Sequence, residues 1–495
     1  MDRRVFLKFI SLFPILSSSY VFSKGHMKRT VFYSILELKN NPPKYIGEII
    51  FLKSYHQGMD LGGGFFVARY KDDMTTDEGK YIETNSEFFW ERVLDYNCRN
   101  TKKPEWYGCI GDGITDDSVA FSQMLYHLDD GDLIVLRNNA TYYNGVNERK
   151  YEWTINKKRI SIIGNNAILV RRPTLSSILD DNLSTLKIMG DNFTIEGNLT
   201  ITTNEKEMPL VDKKNRIIST DKYPRGAVSS HGLFFENVKN ITILDKIICS
   251  GAVFPCYVAG CKNINIKGVF NNSGQVYPVK GTDLQLGSGI KLSNCEKFNL
   301  DIITDKSAYC GCEIEPNCRN GIVKVTASNP FMHGCILHKK IEFVDIDIRT
   351  VGAIKGAAMR ISSGCTDISG EIYSDRCQNA LVIMSDRINI CKKLDIIVSS
   401  KNTLKRIITI SNDNKKFPSL ESSKIKIKNI DGNNNLGKDQ IFYASKIYNS
   451  SFLINSKKGI IEIIDSSDIE VNIDLQNNKK DIKIINVNNK NLRVL

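Results

Sequence analysis

From about residue 155 onward the chain alternates short β-branched runs with turns rich in Asn, Gly, Ser and Asp. Ile160-Ser161-Ile162, Phe193-Thr194-Ile195, Ile241-Thr242-Ile243, Ile264-Asn265-Ile266 and Ile425-Lys426-Ile427 place an apolar residue at every second position. That period predicts strands with one buried face. A second set of triplets has the same in-out-in form: Leu233-Phe234-Phe235, Cys256-Tyr257-Val258, Ile290-Lys291-Leu292, Cys312-Glu313-Ile314, Cys335-Ile336-Leu337 and Met359-Arg360-Ile361. Their middle residues advance in steps of 23, 34, 22, 23 and 24. Short strands recurring at so steady a step predict a parallel β-helix, each coil pairing with the next. A β-sandwich, the alternative, has no reason to keep the step. The 34-residue step reads as one ordinary coil plus an inserted loop within residues 271–285.

Five runs open on cysteine at one repeat position: Cys261, Cys295, Cys318, Cys365 and Cys391. Coils stack about 4.8 Å apart, so these thiols are expected to form a reduced, stacked column of small apolar groups. Thirteen cysteines in 495 residues, with no Cys-x-x-Cys pair, are too few for a disulfide scaffold and give no metal signature. The 41% hydrophobic and 25% charged content excludes wholesale disorder, collagen and a polytopic membrane protein. A net charge of +12 without a Lys/Arg block makes nucleic acid an unexpected partner, while a negatively charged sugar polymer suits it. At the N-terminus, Arg3-Arg4-Val5-Phe6-Leu7-Lys8 reads as a twin-arginine export motif, with Asp2 where Ser or Thr is commoner. The apolar stretch Phe9 to Phe22 is broken by Pro14 and is too short to span a bilayer. Residues 1–24 are therefore expected to be a signal peptide cleaved after Val21-Phe22-Ser23, with an uncleaved anchor as the alternative. The expected location is periplasmic or secreted, without stable membrane insertion.

The segment Trp106-Tyr107-Gly108-Cys109-Ile110-Gly111-Asp112-Gly113-Ile114-Thr115-Asp116-Asp117-Ser118 resembles the motif that opens the pectate-lyase-like β-helix superfamily, which includes bacteriophage tailspikes. Ala120, Phe121, Met124, Leu125 and Leu128 follow as a helical stripe. Thr115 or Asp116 is placed to cap that helix, which would close the apolar end of the solenoid, so the motif's acids are expected to be structural. Gly131 to Tyr143 and Ile160 to Gly164 look like strands of the same superfamily. Residues 45–95 resemble a small module found ahead of the motif in tailspike-like proteins, through Ser54-Tyr55-His56-Gln57-Gly58, Gly62-Gly63-Gly64-Phe65-Phe66-Val67 and Phe89-Trp90-Glu91-Arg92-Val93. With the export signal, the chain also resembles exported proteins of exopolysaccharide (colanic acid type) gene clusters, and Cys312 to Asn317 is similar to a short strand there. The expected fold is all-β: a single-stranded right-handed parallel β-helix with an N-terminal capping helix and a small N-terminal β module. The expected divisions are 1–24 signal, 25–96 β module, 97–130 motif and helix, and 131–495 solenoid.

Outward residues at one position of successive coils form the column Phe234, Tyr257, Lys291, Glu313, Ile336 and Arg360, with Glu236, Ala259, Ser293, Glu315 and Ser362 beside it. Aromatic faces stack on sugar rings, and Lys and Arg hold carboxylates. Glu313 and Glu315 stand i and i+2, roughly 6.6–6.8 Å apart along the backbone by strand rise. Side-chain swing then allows either a retaining gap of about 5.5 Å or an inverting gap of about 6.5–9.5 Å. Neighbouring like charges are expected to raise one pKa, leaving an acid beside a base. The inserted loop adds Tyr277, Lys280 and Asp283, the last a third candidate acid, and His333 is a candidate ligand contact. Three functions fit: hydrolysis of an acidic exopolysaccharide or capsule; a lyase with Lys291 or Tyr257 as base and Arg360 neutralising a uronate; or non-catalytic polysaccharide binding or assembly. Two ordinary surface glutamates on a solvated strand face are the plain alternative. Neither cofactor nor metal is expected, and the oligomeric state is expected to be monomer or homotrimer.

Overall fold

A computed structural model describes residues 30–495, except 72–75, 146–151, 173–183, 204–230, 274, 280–281, 414–416, 430–439, 456–458 and 474–481. The segment expected to be an export signal, 1–24, lies outside the described residues. No helix among the described residues is long and apolar enough to cross a membrane.

The N-terminal module is a five-stranded sheet with one short helix. Its strands are Thr30–Phe32, Ile49–Leu52, Gly64–Tyr70, Tyr81–Ile82 and Phe88–Arg92, ordered first, second, third, fifth, fourth. Helix α1 (Ile35–Asn40) starts at Ser34, whose Oγ accepts the Glu37 N–H at 3.2 Å. Leu38, Ile50, Leu52, Phe66 and Trp90 fill the space between helix and sheet. The glycine run at 62–64 answers to close approach: Gly62 has φ +73°, and a Cβ there would stand 2.1 Å from the Glu105 carbonyl oxygen. The module thus rests directly on the first turns of the solenoid.

The rest is a parallel β-helix. Two parallel sheets of 13 and 21 strands run its length, each strand pairing with its counterpart one coil away. The ladder begins ahead of residue 131, because Thr101–Lys102 and Asp112–Asp116 already pair into the 21-stranded sheet. Helix α2 (Ser118–Tyr126) buries Phe121, Met124 and Leu125 against the first coils, and Phe121 stacks on Trp153 at 4.1 Å. The acids before it hold backbone, as expected, but neither Thr115 nor Asp116 is the cap: Asp117 stands at the N-cap and makes no side-chain cap hydrogen bond. Asp117 Oδ1 accepts the Ile110 N–H at 2.7 Å, Asp112 Oδ1 the Thr115 N–H at 2.7 Å, and Asp116 Oδ1 the Ser118 N–H at 2.9 Å.

Coil corners explain the turn composition. Asn237, Asn294, Asn317 and Lys340 take φ of 53–65° immediately before the inward apolar or cysteine residue, where Gly260 and Gly364 serve in other coils. Asn tolerates this left-handed conformation because its side chain bonds locally. Asn side chains also ladder along the axis, as Asn240 to Asn192 (2.7 Å) and Asn263 to Asn240 (2.8 Å).

All thirteen cysteines are free. The five at the shared position are buried, and their sulfurs serve the corner: the Val238 N–H donates to Cys261 Sγ and the Cys295 N–H to Cys318 Sγ, each at 3.3 Å. A second interior column passes through register partners Leu233, Cys256, Ile290, Cys312, Cys335 and Met359. Burial pushes the Cys256, Cys365 and Cys391 thiols upward and Cys261 to about 12, whereas its hydrogen bond with Cys318 brings Cys295 down. Thiol titration of the purified protein, unfolded without reductant, is expected to count all thirteen, and mass shifts showing linked pairs would contradict the ladder.

The insertion is a hairpin rather than an open loop. Gln275–Val279 and Thr282–Leu286 pair antiparallel, with Pro278 opposite Asp283.

Candidate functional site

The outer column has the register its spacing implied. Along the 13-stranded sheet, Lys187 pairs with Phe234, Phe234 with Tyr257, Tyr257 with Lys291, Lys291 with Glu313, Glu313 with Ile336, and Ile336 with Arg360.

Its centre is a charged cluster. Glu313 is 6% exposed, and both its oxygens are engaged. Ser288 Oγ donates to Oε2 at 2.7 Å, and His338 Nε2 lies 3.0 Å from Oε1. Lys291 Nζ sits 2.9 Å from Glu315 Oε1 and 3.9 Å from Glu313 Oε1, bridging both carboxylates. One ligand atom each of Glu313, Glu315 and His338 falls within 4.8 Å of the others. One carboxylate oxygen of Glu313 and one of Glu315 thus lie within 4.8 Å of each other.

The electrostatics differ from expectation. Proximity of two carboxyls was expected to raise one pKa. Burial does push Glu313 upward, but the His338 hydrogen bond, the Lys291 charge and the Ser288 hydroxyl override it and hold Glu313 at about 2. Lys291 balances the pair: burial pulls its pKa down, yet the two carboxylates raise it overall. A lysine so held is not a free base, and burial pushes the Tyr257 hydroxyl upward too. Both bases named for a lyase are thus in their protonated forms.

Several expected residues are placed differently. Phe234, expected to meet polymer, is buried. Its ring lies 5.2 Å from Tyr257 at 6° and 4.7 Å from His231 at 26°, with Lys187 Nζ 5.2 Å from its centroid. It is therefore the floor of an aromatic stack whose half-buried members are Tyr257 and Phe254. Phe254 completes the stack, with Lys291 Nζ 5.0 Å above its ring. Ile336 is fully buried although it faces the same way as Glu313. His333 is also buried; its Nδ1 accepts the Ala357 N–H at 3.1 Å. Arg360 is half-buried and pairs with no described carboxylate. The backbone of Asp283 lies in the hairpin; its side chain lies outside the described residues, as do those of Tyr277 and Lys280.

His338, Ser288, His231 and Phe254 were not anticipated. His338 had a legible signal. Its N–H donates to Ile314 O at 2.8 Å, as the Glu315 N–H donates to Leu292 O at 2.7 Å, so His338 occupies the position of Glu315 one coil later. The neighbour column skipped that coil.

Residues 31–95 match a family described as the phage tail protein small four-stranded beta-sheet domain. A Mu-like prophage FluMu defective tail fiber protein of Haemophilus influenzae is 31% identical over 94 residues, 19% of this chain and 14% of that protein. The amylovoran biosynthesis protein AmsF of Erwinia amylovora is 34% identical over 95 residues, 19% of this chain and 12% of that protein. The chain thus matches only about an eighth of the length of either curated relative. Among solved structures, the enzymatically active domain of bacteriophage CBA120 tailspike protein 2 is 13% identical, with 94% of this chain and 60% of that chain covered at a TM-score of 0.39. A phage-tail type β module set on a long parallel β-helix gives this chain the tailspike-like architecture that its sequence resembles.

Proposed function

We propose that the protein is a carbohydrate-active β-helix enzyme that hydrolyses an acidic bacterial exopolysaccharide along the outer face of the 13-stranded sheet. The observation that carries this reading is the cluster Glu313, Glu315, His338 and Lys291, with an aromatic stack two coils before Glu313 and a cation two coils after it. Glu315 and His338 are the members that reach the groove, each with a side chain 26% exposed. In the proposed chemistry Glu315 exchanges a proton with the glycosidic oxygen or the attacking water. Glu313 is the fixed anion that orients His338 and Lys291. Tyr257 offers its ring to a sugar beside them. Asp283, on the hairpin, remains a candidate third acid. The relative named for amylovoran biosynthesis supports an exopolysaccharide substrate. Export by the twin-arginine route fits a substrate outside the cytoplasm.

Protonated Lys291 and Tyr257 favour hydrolysis over elimination. Digestion of the host's own acidic exopolysaccharide tests this: shortened chains with new reducing ends and no unsaturated-uronate absorbance are expected. Shortening accompanied by that absorbance would replace the hydrolase with a lyase. Tight binding without shortening would leave a binding or assembly protein.

A further inference from the structure

Among the buried donors without an acceptor on the 13-stranded sheet, one on His333 and one on Arg360 lie in adjacent coils. His333 is 4% exposed, and its Nδ1 accepts the Ala357 N–H, so the proton of the neutral ring must sit on Nε2. Burial and the nearby Arg360 charge keep that ring neutral, at about 3. His333 Nε2 is buried without a hydrogen-bond partner. One coil on, Arg360 Nε is buried and equally unpartnered. Donors in such positions are costly unless something accepts from them. Neighbouring cations differ: Lys187 pairs with Glu236 at 2.8 Å, and Lys291 with Glu315 and Glu313. Arg360 alone in the column faces no described carboxylate. Its charge also acts on Tyr309, whose ring lies edge-on to His333 at 6.3 Å. The wants of this spot are two N–H donors, one of them charged, beside the buried apolar Ile336. What complements them is an anion with two acceptor oxygens.

We infer that His333 and Arg360 form a seat for a carboxylate of the polymer, one to two coils beyond Glu313. A guanidinium and an imidazole N–H together satisfy both carboxylate oxygens, which a neutral sugar does not. The seat would set the position of an acidic sugar relative to the Glu313–Glu315 cluster, so that the cut falls at a fixed distance from a charged residue. This rests on the proposed polysaccharide function for its purpose, though not for its measurement.

The test is nuclear magnetic resonance of the protein carrying ring-15N histidine, with the His333 signal assigned by its loss in His333→Gln. Sodium glucuronate and sodium galacturonate are titrated in, with their uncharged methyl esters as controls. The expected result is a saturable shift of His333 Nε2 with at least one uronate and none with either ester. In Arg360→Gln the affinity should fall at least tenfold, and Arg360→Lys should recover only part of it. A His333 signal unmoved by both uronates, or moved equally by the esters, would overturn the seat, as would unchanged affinity in Arg360→Gln. Because the readout needs no turnover, uronate binding without polymer cleavage would sustain the seat while removing the hydrolase. Cleavage without uronate binding would do the reverse.

Discussion

Glu315→Gln is expected to lower turnover at least about a hundredfold, the usual scale for a general acid–base group. Binding of polymer and the unfolding midpoint should barely change, because this side chain sits at the groove surface and touches only Lys291. Glu313→Gln is expected to cost turnover and stability together. Glutamine keeps the volume but sets an NH2 group against one of two donors, Ser288 Oγ or His338 Nε2, and removes a charge that Lys291 shares. A buried mismatch of this kind costs about 1–3 kcal/mol. The pH dependence identifies the cause. Glu313 is held at about 2, below its ordinary 4.5, so the folded state binds fewer protons than the unfolded one between those values. Its contribution is complete above pH 4.5 and is lost as pH falls towards 2. The stability gap between wild type and Glu313→Gln should close over that same window. Equal turnover in wild type and both variants would remove this cluster from catalysis and leave the fold intact.

The second large effect lies at the seam between the module and the solenoid. Lys102, 2% exposed, puts its Nζ 2.8 Å from Asp77 Oδ2 and 4.0 Å from Asp132 Oδ2. Asp77 belongs to the module side, and its Oδ1 accepts the N–H groups of Gly79, Lys80 and Tyr81 at 3.0, 2.6 and 2.9 Å. The Tyr107 hydroxyl adds a bond to Oδ2 at 3.0 Å. Burial alone would raise the Asp77 pKa, but Lys102 and the backbone donors bring it below its ordinary value. Lys102→Met keeps the aliphatic length and removes the cation paired with Asp77 and Asp132, leaving the more distant Lys80 to act on them. Breaking a buried pair from one side costs about 3–5 kcal/mol. Chemical denaturation should show that loss, with early proteolysis around residues 93–100 as the module lifts from the first coil. The control is Lys324→Met: its 3.6 Å pair with Asp301 is about half exposed on both sides, so the change should stay within about 1 kcal/mol. Equal stability of the two variants would mean that the seam is held by packing and not by the ion cluster.

The sequence carried the solenoid further than it carried the site. A repeat writes each coil's register into a step length, so the partners of Tyr257, Lys291, Glu313 and Arg360 could be counted before any coordinates existed. The same counting would have found His338, two residues past Ile336, had the neighbour column been followed through every coil. Burial could not be counted. Whether an outward side chain is open depends on what its neighbours in adjacent coils place over it. Phe234 is closed in by His231 and Lys187, which lies 47 residues away in sequence, and Glu313 by Ser288, Lys291 and His338. That closure holds the Glu313 pKa down, because the partners that bury it are donors and cations. The seam was equally hidden: Asp77, Lys102 and Asp132 come from three separate segments, and no local pattern joins them.

The central claim is that polymer is cut where it crosses Glu313 and Glu315 on the outer face of the 13-stranded sheet. The most direct measurement is a crystal structure of Glu315→Gln soaked with oligosaccharides prepared from the host's acidic exopolysaccharide. The account predicts a sugar chain running along the coils, one ring against Tyr257, a glycosidic oxygen within hydrogen-bond reach of residue 315, and a carboxylate at Arg360. Oligosaccharide bound instead on the 21-stranded sheet or on the N-terminal module, with this column empty, would contradict it.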